Sequence, residues 1–205
     1  MEPAGHDPDL PEHAVSPSDK ARWRGRVLEA RRALGATDRA REGAALADAA
    51  ARAITTGETV ATYHPVWDEP GADALLDAIA RVAGRVLLPL TPRRPGPLEW
   101  APYAGPASLA AGRFGIREPT APPVSAGEFA AATTVFVPAL AVDRRGVRLG
   151  RGAGFYDRTL GAADPSARLV AVVRDDELVD ALPEDPHDVR MGWALTPGGG
   201  LVRLS

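Results

Sequence analysis

From Ser18 onward, the apolar positions of the chain fall into two alternating spacings. Trp23, Val27, Leu28 and Leu34 recur at helical intervals behind a Ser18-Asp19 start, and Gly35 supplies a stop. The spacing predicts a second, alanine-rich helix over about 37–54 and a third over 72–83, where Leu75, Leu76 and Ile79 share one face. Short apolar runs come between and after these, at 59–63, 85–89 (RVLLP), 135–142 with Pro138 inside it, 169–173 and 193–196. A further short helix is predicted at 155–160. Buried strands alternating with helices predict an α/β fold, with a mostly parallel sheet covered on both faces.

The pattern weakens between 91 and 133. Eight prolines punctuate this stretch, from Pro92 to Pro123, with Trp100, Tyr103 and Phe114 among them. A connection this long predicts either a functional loop or irregular short strands. At the other extreme, residues 1–17 are acidic and proline-rich with no apolar run, so a disordered tail is expected there rather than a signal peptide.

Composition narrows the function. A chain of 205 residues with 45% hydrophobic and 25% charged positions fits one globular domain, here 18–205. The absence of cysteine excludes disulfide scaffolds, thiolate zinc sites and cysteine nucleophiles. A net charge of −3 argues against a nucleic-acid partner, and no run reaches the ~18 apolar residues that would cross a membrane. A cytoplasmic protein is expected. Lys20 is the sole lysine, every other basic residue among 24 being arginine. A GC-rich coding background accounts for most of that skew, yet a lone ammonium is also a compact charge suited to phosphate.

The most informative segment is 143–158, DRRGVRLGRGAGFYDR. It follows a predicted strand and leads into a helix, at the edge of a parallel sheet where ligands bind. Gly150, Gly152 and Gly154 let the backbone approach an anion, and Arg148 and Arg151 add charge. The following helix offers its positive end. The segment is not a Walker A loop, and its third glycine comes too early for the dinucleotide fingerprint. Asp157 reads either as a helix-start residue or as a hard ligand for magnesium, with Asp185 and Asp188 as candidates for a second carboxylate. His187 lacks a partner at zinc-site spacing. Asp175-Asp176-Glu177 reads as the charged first turn of a helix. No G-x-S-x-G elbow is present, and only His64 and His187 lie in the expected domain, so Ser-His-Asp hydrolysis has little support.

RLGRGAGFYDR at 148–158 resembles the signature of the 5-formyltetrahydrofolate cyclo-ligase family. Five further segments resemble that family's in the same order: Lys20 and Arg24 as K-x-x-x-R, 63–69, GIREP at 115–119, VPALAVD at 137–143 and PHD at 186–188. The resemblance implies a three-layer α/β/α sandwich and an ATP- and Mg2+-dependent ring closure, with a reduced folate as partner and a monomer or weak homodimer. In that reaction the formyl oxygen of 5-formyltetrahydrofolate takes the γ-phosphoryl group, N10 attacks the activated carbon, and phosphate leaves. It further implies that Lys20 and Arg24 contact the phosphates, with Lys20 and Arg151 as the catalytic pair. Arg148, Leu149, Gly150, Arg151, Gly152, Ala153, Gly154, Phe155 and Tyr156 would wrap ATP. Arg151 to Phe155 would also approach the folate, Glu69 would lie beside the pterin, and Asp157 and Asp188 would hold magnesium.

The chain departs from the family pattern at Phe155, at Ala153, at Pro70-Gly71-Ala72 and at Met191-Gly192. The departure at 70–72 keeps open a nucleotide-binding module of the same fold without folate cyclisation. A sugar-phosphate isomerase on a similar fold is a third reading, and it would turn over without ATP.

Overall fold

A computed structural model describes residues 17–205 apart from Trp67 and Pro95. The tail expected at 1–17 lies outside the described residues except for Pro17, which opens the first helix. Two helices come first, α1 (Pro17–Ala33) and α2 (Ala36–Ala53), followed by β1 (Thr59–Ala61), α3 (Ala72–Val82) and β2 (Arg85–Leu90). The stretch of weak pattern folds into β3 (Glu99–Pro102), the hairpin β4 (Leu109–Ala111) and β5 (Arg117–Pro119), and α4 (Ala126–Ala130). The remaining elements are β6 (Thr134–Pro138), β7 (Ala141–Asp143), β8 (Arg148–Leu149), α5 (Phe155–Thr159), β9 (Arg168–Val172), β10 (Leu178–Val179), β11 (Trp193–Thr196) and β12 (Gly200–Arg203).

Seven strands form one sheet in the order β12-β11-β9-β6-β1-β2-β3. The five inner strands run parallel, with Val60 beside both Val86 and Thr134, and Phe136 beside Val170. The edge strands β3 and β12 are antiparallel. Side chains alternate between faces, as strand geometry requires. Phe136, Val170 and Val172 meet Leu46 and Ala50 of α2 and Leu75 and Ile79 of α3 on one side. Val135, Val137, Ala171 and Val173 face Phe129, Leu160 and Trp100 on the other, where the Trp100 and Phe129 rings stack at 4.7 Å. The three layers are therefore uneven, with two long helices over one face and short helical turns with extended chain over the other.

The apolar run at 135–142 is two strands rather than one. Pro138 has no N–H to donate, and the central ladder ends there. The chain then leaves the sheet, and β7 pairs with β8 and β10 in a separate three-stranded sheet. Against this small sheet α1 packs Val27, Trp23 and Leu28 over Leu140, Val147, Leu149 and Leu182. The helix expected at 155–160 stops at Thr159 and continues as a 3-10 turn, and Asp175–Glu177 forms a 3-10 turn rather than a longer helix. Among the described residues, no helix is long and apolar enough to cross a membrane.

Candidate active site

A cavity of about 670 Å³ opens at the carboxyl ends of the parallel strands. Tyr63 and His64 reach it from the end of β1, Pro89 from β2, and Pro138, Ala139 and Leu140 from the end of β6. Every residue that the resemblance assigns to the site lines this one space: Lys20, Arg24, Glu69, Arg148, Leu149, Gly150, Arg151, Gly152, Ala153, Gly154, Phe155, Tyr156, Asp157 and Asp188. They come from chain segments more than 160 positions apart.

The glycine loop has a definite shape. Gly152 adopts φ +106° and Gly154 φ +66°, backbone conformations that a side chain resists. A Cβ on Gly152 would meet the Arg24 guanidinium only at ordinary contact distance, 3.6 Å, so the positive φ is what favours glycine there. Arg24 lies across the loop, its Nε donating to the Gly150 carbonyl at 2.9 Å. Because α5 is only five residues long, its contribution to binding an anion is small, and the loop amides and arginines carry most of the positive field.

Three cations of the site, Lys20, Arg148 and Arg151, are already paired. Lys20 is 9% exposed, and its Nζ donates to Asp185 Oδ2 at 2.6 Å and to Asp188 Oδ2 at 2.7 Å. Burial opposes the ammonium charge, but the two carboxylates outweigh it and raise the Lys20 pKa above its ordinary value. The hydrogen bond from Lys20 holds Asp185 below the usual carboxylate range. Arg148 is also buried, its Nη2 donating to Asp157 Oδ1 at 2.7 Å and its guanidinium lying 5.6 Å from the centre of the Tyr156 ring. Arg148 Nε is enclosed without a partner.

Donor atoms of Asp185, His187 and Asp188 lie within 4.8 Å of one another. His187 therefore does have carboxylate neighbours, which its sequence spacing did not suggest, because the 185–188 turn folds back on itself with Asp185 N donating to Asp188 Oδ2. The hard carboxylate oxygens of this group fit a divalent cation, and Lys20 supplies their positive charge when none is bound. Asp157 falls outside the group, held by Arg148.

Glu69 is largely buried in the cavity wall beside Arg151. Burial pushes its carboxyl pKa up, against the pull of the Val66 N–H and of Arg151, whose Nε lies 3.5 Å away. Arg151 also bonds Asp68, a partner the sequence did not suggest. The Tyr63 and Tyr156 phenols are pushed up, first by burial and then by the Glu69 carboxylate. Tyr63 OH and His64 Nδ1 are enclosed and unpartnered. Tyr63 ends the first predicted strand and His64 follows it, and the carboxyl end of that strand is the signal that could have marked both. Thr91, Leu98 and Ile116 show that the 91–133 region supplies part of the wall. Pro70, Gly71 and Ala72 do not line the cavity; they form the turn into α3.

The family model of 5-formyltetrahydrofolate cyclo-ligases matches residues 16–197. A 5-formyltetrahydrofolate cyclo-ligase of Mycolicibacterium smegmatis is 46% identical over 194 residues, covering 93% of this chain and all of the relative. The cyclo-ligase of Escherichia coli K12 is 30% identical over 70% of this chain and 80% of its own length. The solution structure of 5,10-methenyltetrahydrofolate synthetase from Aquifex aeolicus superposes with a TM-score of 0.71 at 26% identity, covering 90% of this chain and 92% of that one. With a family match over residues 16–197 and a 46% identical cyclo-ligase spanning 93% of it, this chain belongs to the 5-formyltetrahydrofolate cyclo-ligase family and is a ligase.

Proposed function

We propose that this chain closes the ring of 5-formyltetrahydrofolate to give 5,10-methenyltetrahydrofolate, consuming ATP in the presence of magnesium and releasing ADP and phosphate. The observation that carries the reading is the convergence of Lys20, Arg24, the 148–157 loop, Glu69 and Asp188 on one cavity. That cavity combines several cations with a largely buried carboxylate, Glu69, as a reaction between a polyphosphate and a pterin needs.

In this reading Arg24 and the loop amides hold the triphosphate, with Lys20 and Arg151 neutralising charge on the group in flight. The formyl oxygen attacks the γ-phosphorus and the bond to ADP breaks. N10 then adds to the activated carbon and sheds its proton, and the carbon–oxygen bond breaks as phosphate departs. No protein nucleophile is needed; positioning and charge stabilisation suffice. Glu69 faces the N–H donors of the pterin. Asp188, with Asp185 and His187 beside it, would hold magnesium, and Asp157 would serve the ion once released from Arg148. The ion supplies charge neutralisation and orientation of the phosphates. Phosphates offered to Lys20 give its ammonium an alternative to Asp185 and Asp188, which frees those carboxylates.

The nucleotide-binding reading without cyclisation rested on 70–72, and those residues stand away from the cavity wall. The decisive assay adds 5-formyltetrahydrofolate, ATP and magnesium and follows methenyl-folate absorbance. Stoichiometric ADP is expected, with no product when ATP is omitted. Lys20→Ala should raise the KM for ATP by more than that for folate. ATP binding without the absorbance change would return the noncatalytic module, and turnover without ATP would return the isomerase.

A further inference from the structure

Lys20 and Arg24 reach the cavity from α1, and a third basic side chain of that helix, Arg31, faces the same way. Arg31 follows Lys20 by about three turns and Arg24 by about two, so the three lie on a stripe roughly 40° wide. Arg31 is 1% exposed, and its side-chain bonds go to Glu177 and Ala139 rather than to the glycine loop or the 185–188 turn. Its Nε donates to Glu177 Oε1 at 2.7 Å, and its Nη2 donates to Glu177 Oε2 and to the Ala139 carbonyl, each at 2.7 Å. Glu177 is fixed in turn, accepting from the backbone N–H of Arg174 at 2.8 Å. Ala139 directly follows β6 and forms part of the cavity wall.

Apart from Lys20 and Arg24, whose own bonds to Asp185, Asp188 and the Gly150 carbonyl are the ones phosphates would displace, α1 is weakly anchored. Val27 is its one buried apolar side chain among the described residues, with Trp23 and Leu28 partly covered. Apolar contact is non-directional and leaves a helix free to slide or rotate by small amounts. A guanidinium fork on a carboxylate admits neither motion. A buried ion pair adds little net stability compared with apolar residues of the same volume. Its distinctive contribution here is geometric.

We propose that the Arg31–Glu177 pair is a positioning clasp that fixes the rotation and axial placement of α1 on the edge of the sheet, and so presents Lys20 and Arg24 to the nucleotide phosphates. The clasp rests on the assignment of ATP to this cavity. It acts through the other two cations and touches no substrate.

The test measures KM for ATP and for 5-formyltetrahydrofolate in the wild type, Lys20→Ala, Arg31→Lys and the double variant Lys20→Ala/Arg31→Lys. Arg31→Lys keeps the charge and loses the fork. It should raise the KM for ATP on the order of tenfold, the equivalent of about 1.4 kcal/mol of lost phosphate contact, with the folate KM changed less than about twofold on the same scale. In the Lys20→Ala background the same change should have a smaller effect, because part of what the clasp positions is gone. A second variant, Arg31→Met/Glu177→Gln, removes both charges together and leaves none unpaired; it should stay folded by circular dichroism and show the same split. An unchanged ATP KM in either folded variant overturns the clasp, as does a parallel rise of both KM values or full additivity with Lys20→Ala. If the wild type shows no ATP dependence, or Lys20→Ala leaves the ATP KM unmoved, the assignment of ATP fails and the clasp with it. An effect of Lys20→Ala without one of Arg31→Lys sinks the clasp alone.

Discussion

Asp157 and Arg148 hold each other at 2.7 Å inside the cavity wall, and this pairing changes what either residue can be asked to do. An aspartate just after a glycine loop reads from sequence as a free magnesium ligand or a helix-start residue. In the folded protein it is the counter-charge of a buried guanidinium, with the Arg148 side chain 4% exposed. Asp157→Asn should therefore lose stability as well as rate. Leaving a largely buried arginine without its charge partner costs about 2 kcal/mol, within the range for an unsatisfied buried polar group. For a chain of this length that lowers Tm by about 4–8 °C. Thermal melts without ligand measure this cost, and a magnesium titration of the residual rate separates it from a loss of metal binding. An unchanged Tm would mean that Arg148 finds another acceptor. Glu69 makes the complementary point. Its raised pKa comes first from burial in the wall that closes around it, with a smaller push from the neighbouring Asp68 carboxylate.

At the scale of elements, boundaries followed local chemistry wherever that chemistry was strong. The three long helices begin and end within two residues of the positions that spacing and Gly35 predict. Pro138 divides an apolar run that periodicity alone reads as continuous, because a missing N–H matters only once neighbouring strands are in place. The five-residue α4 depends on its cap. Ser125 Oγ accepts from Glu128 N, Glu128 accepts from Ser125 N, and Arg85 pairs with the same carboxylate at 2.8 Å. The backbone hydrogen bond from Ser125, helped by Arg85, lowers the Glu128 pKa from 4.5 to about 2. The ionised form is thus favoured in the native state, so this contribution to stability is complete above pH 4.5 and is lost as pH falls toward about 2. Glu128→Gln should flatten the dependence of Tm on pH over that acid window and leave the neutral limb parallel to that of the wild type. Thermal unfolding from pH 2 to 7 checks it, and identical acid limbs would contradict it.

Across the whole molecule, the sheet is the part that brings distant segments to one edge. Phe136 lies at its centre, fully buried and packed against α2, α3 and the neighbouring strands. Phe136→Ala should cost about 3–5 kcal/mol through lost burial and a residual cavity. Urea denaturation should show a lower midpoint with an unchanged slope, since the surface exposed on unfolding is nearly the same. An equal midpoint would mean that the core collapses to fill the space.

The sequence by itself determined the α/β class, the long helices, the inner parallel strands and the unusual backbone of the glycine loop. Those features rest on periodicity and on local backbone demands, such as the positive φ of Gly152 and Gly154, and both are written in adjacent residues. The two-residue strands β8 and β10 escaped because so short a run carries too little pattern to register. The pairings were settled only in three dimensions: Lys20 with Asp185 and Asp188, Arg148 with Asp157, Arg31 with Glu177, and Arg151 with Asp68. Each joins segments whose separation in the chain says nothing about distance, and electrostatic energy depends on distance and burial alone. Which charges meet, and which are left for a ligand, is therefore a property of the fold.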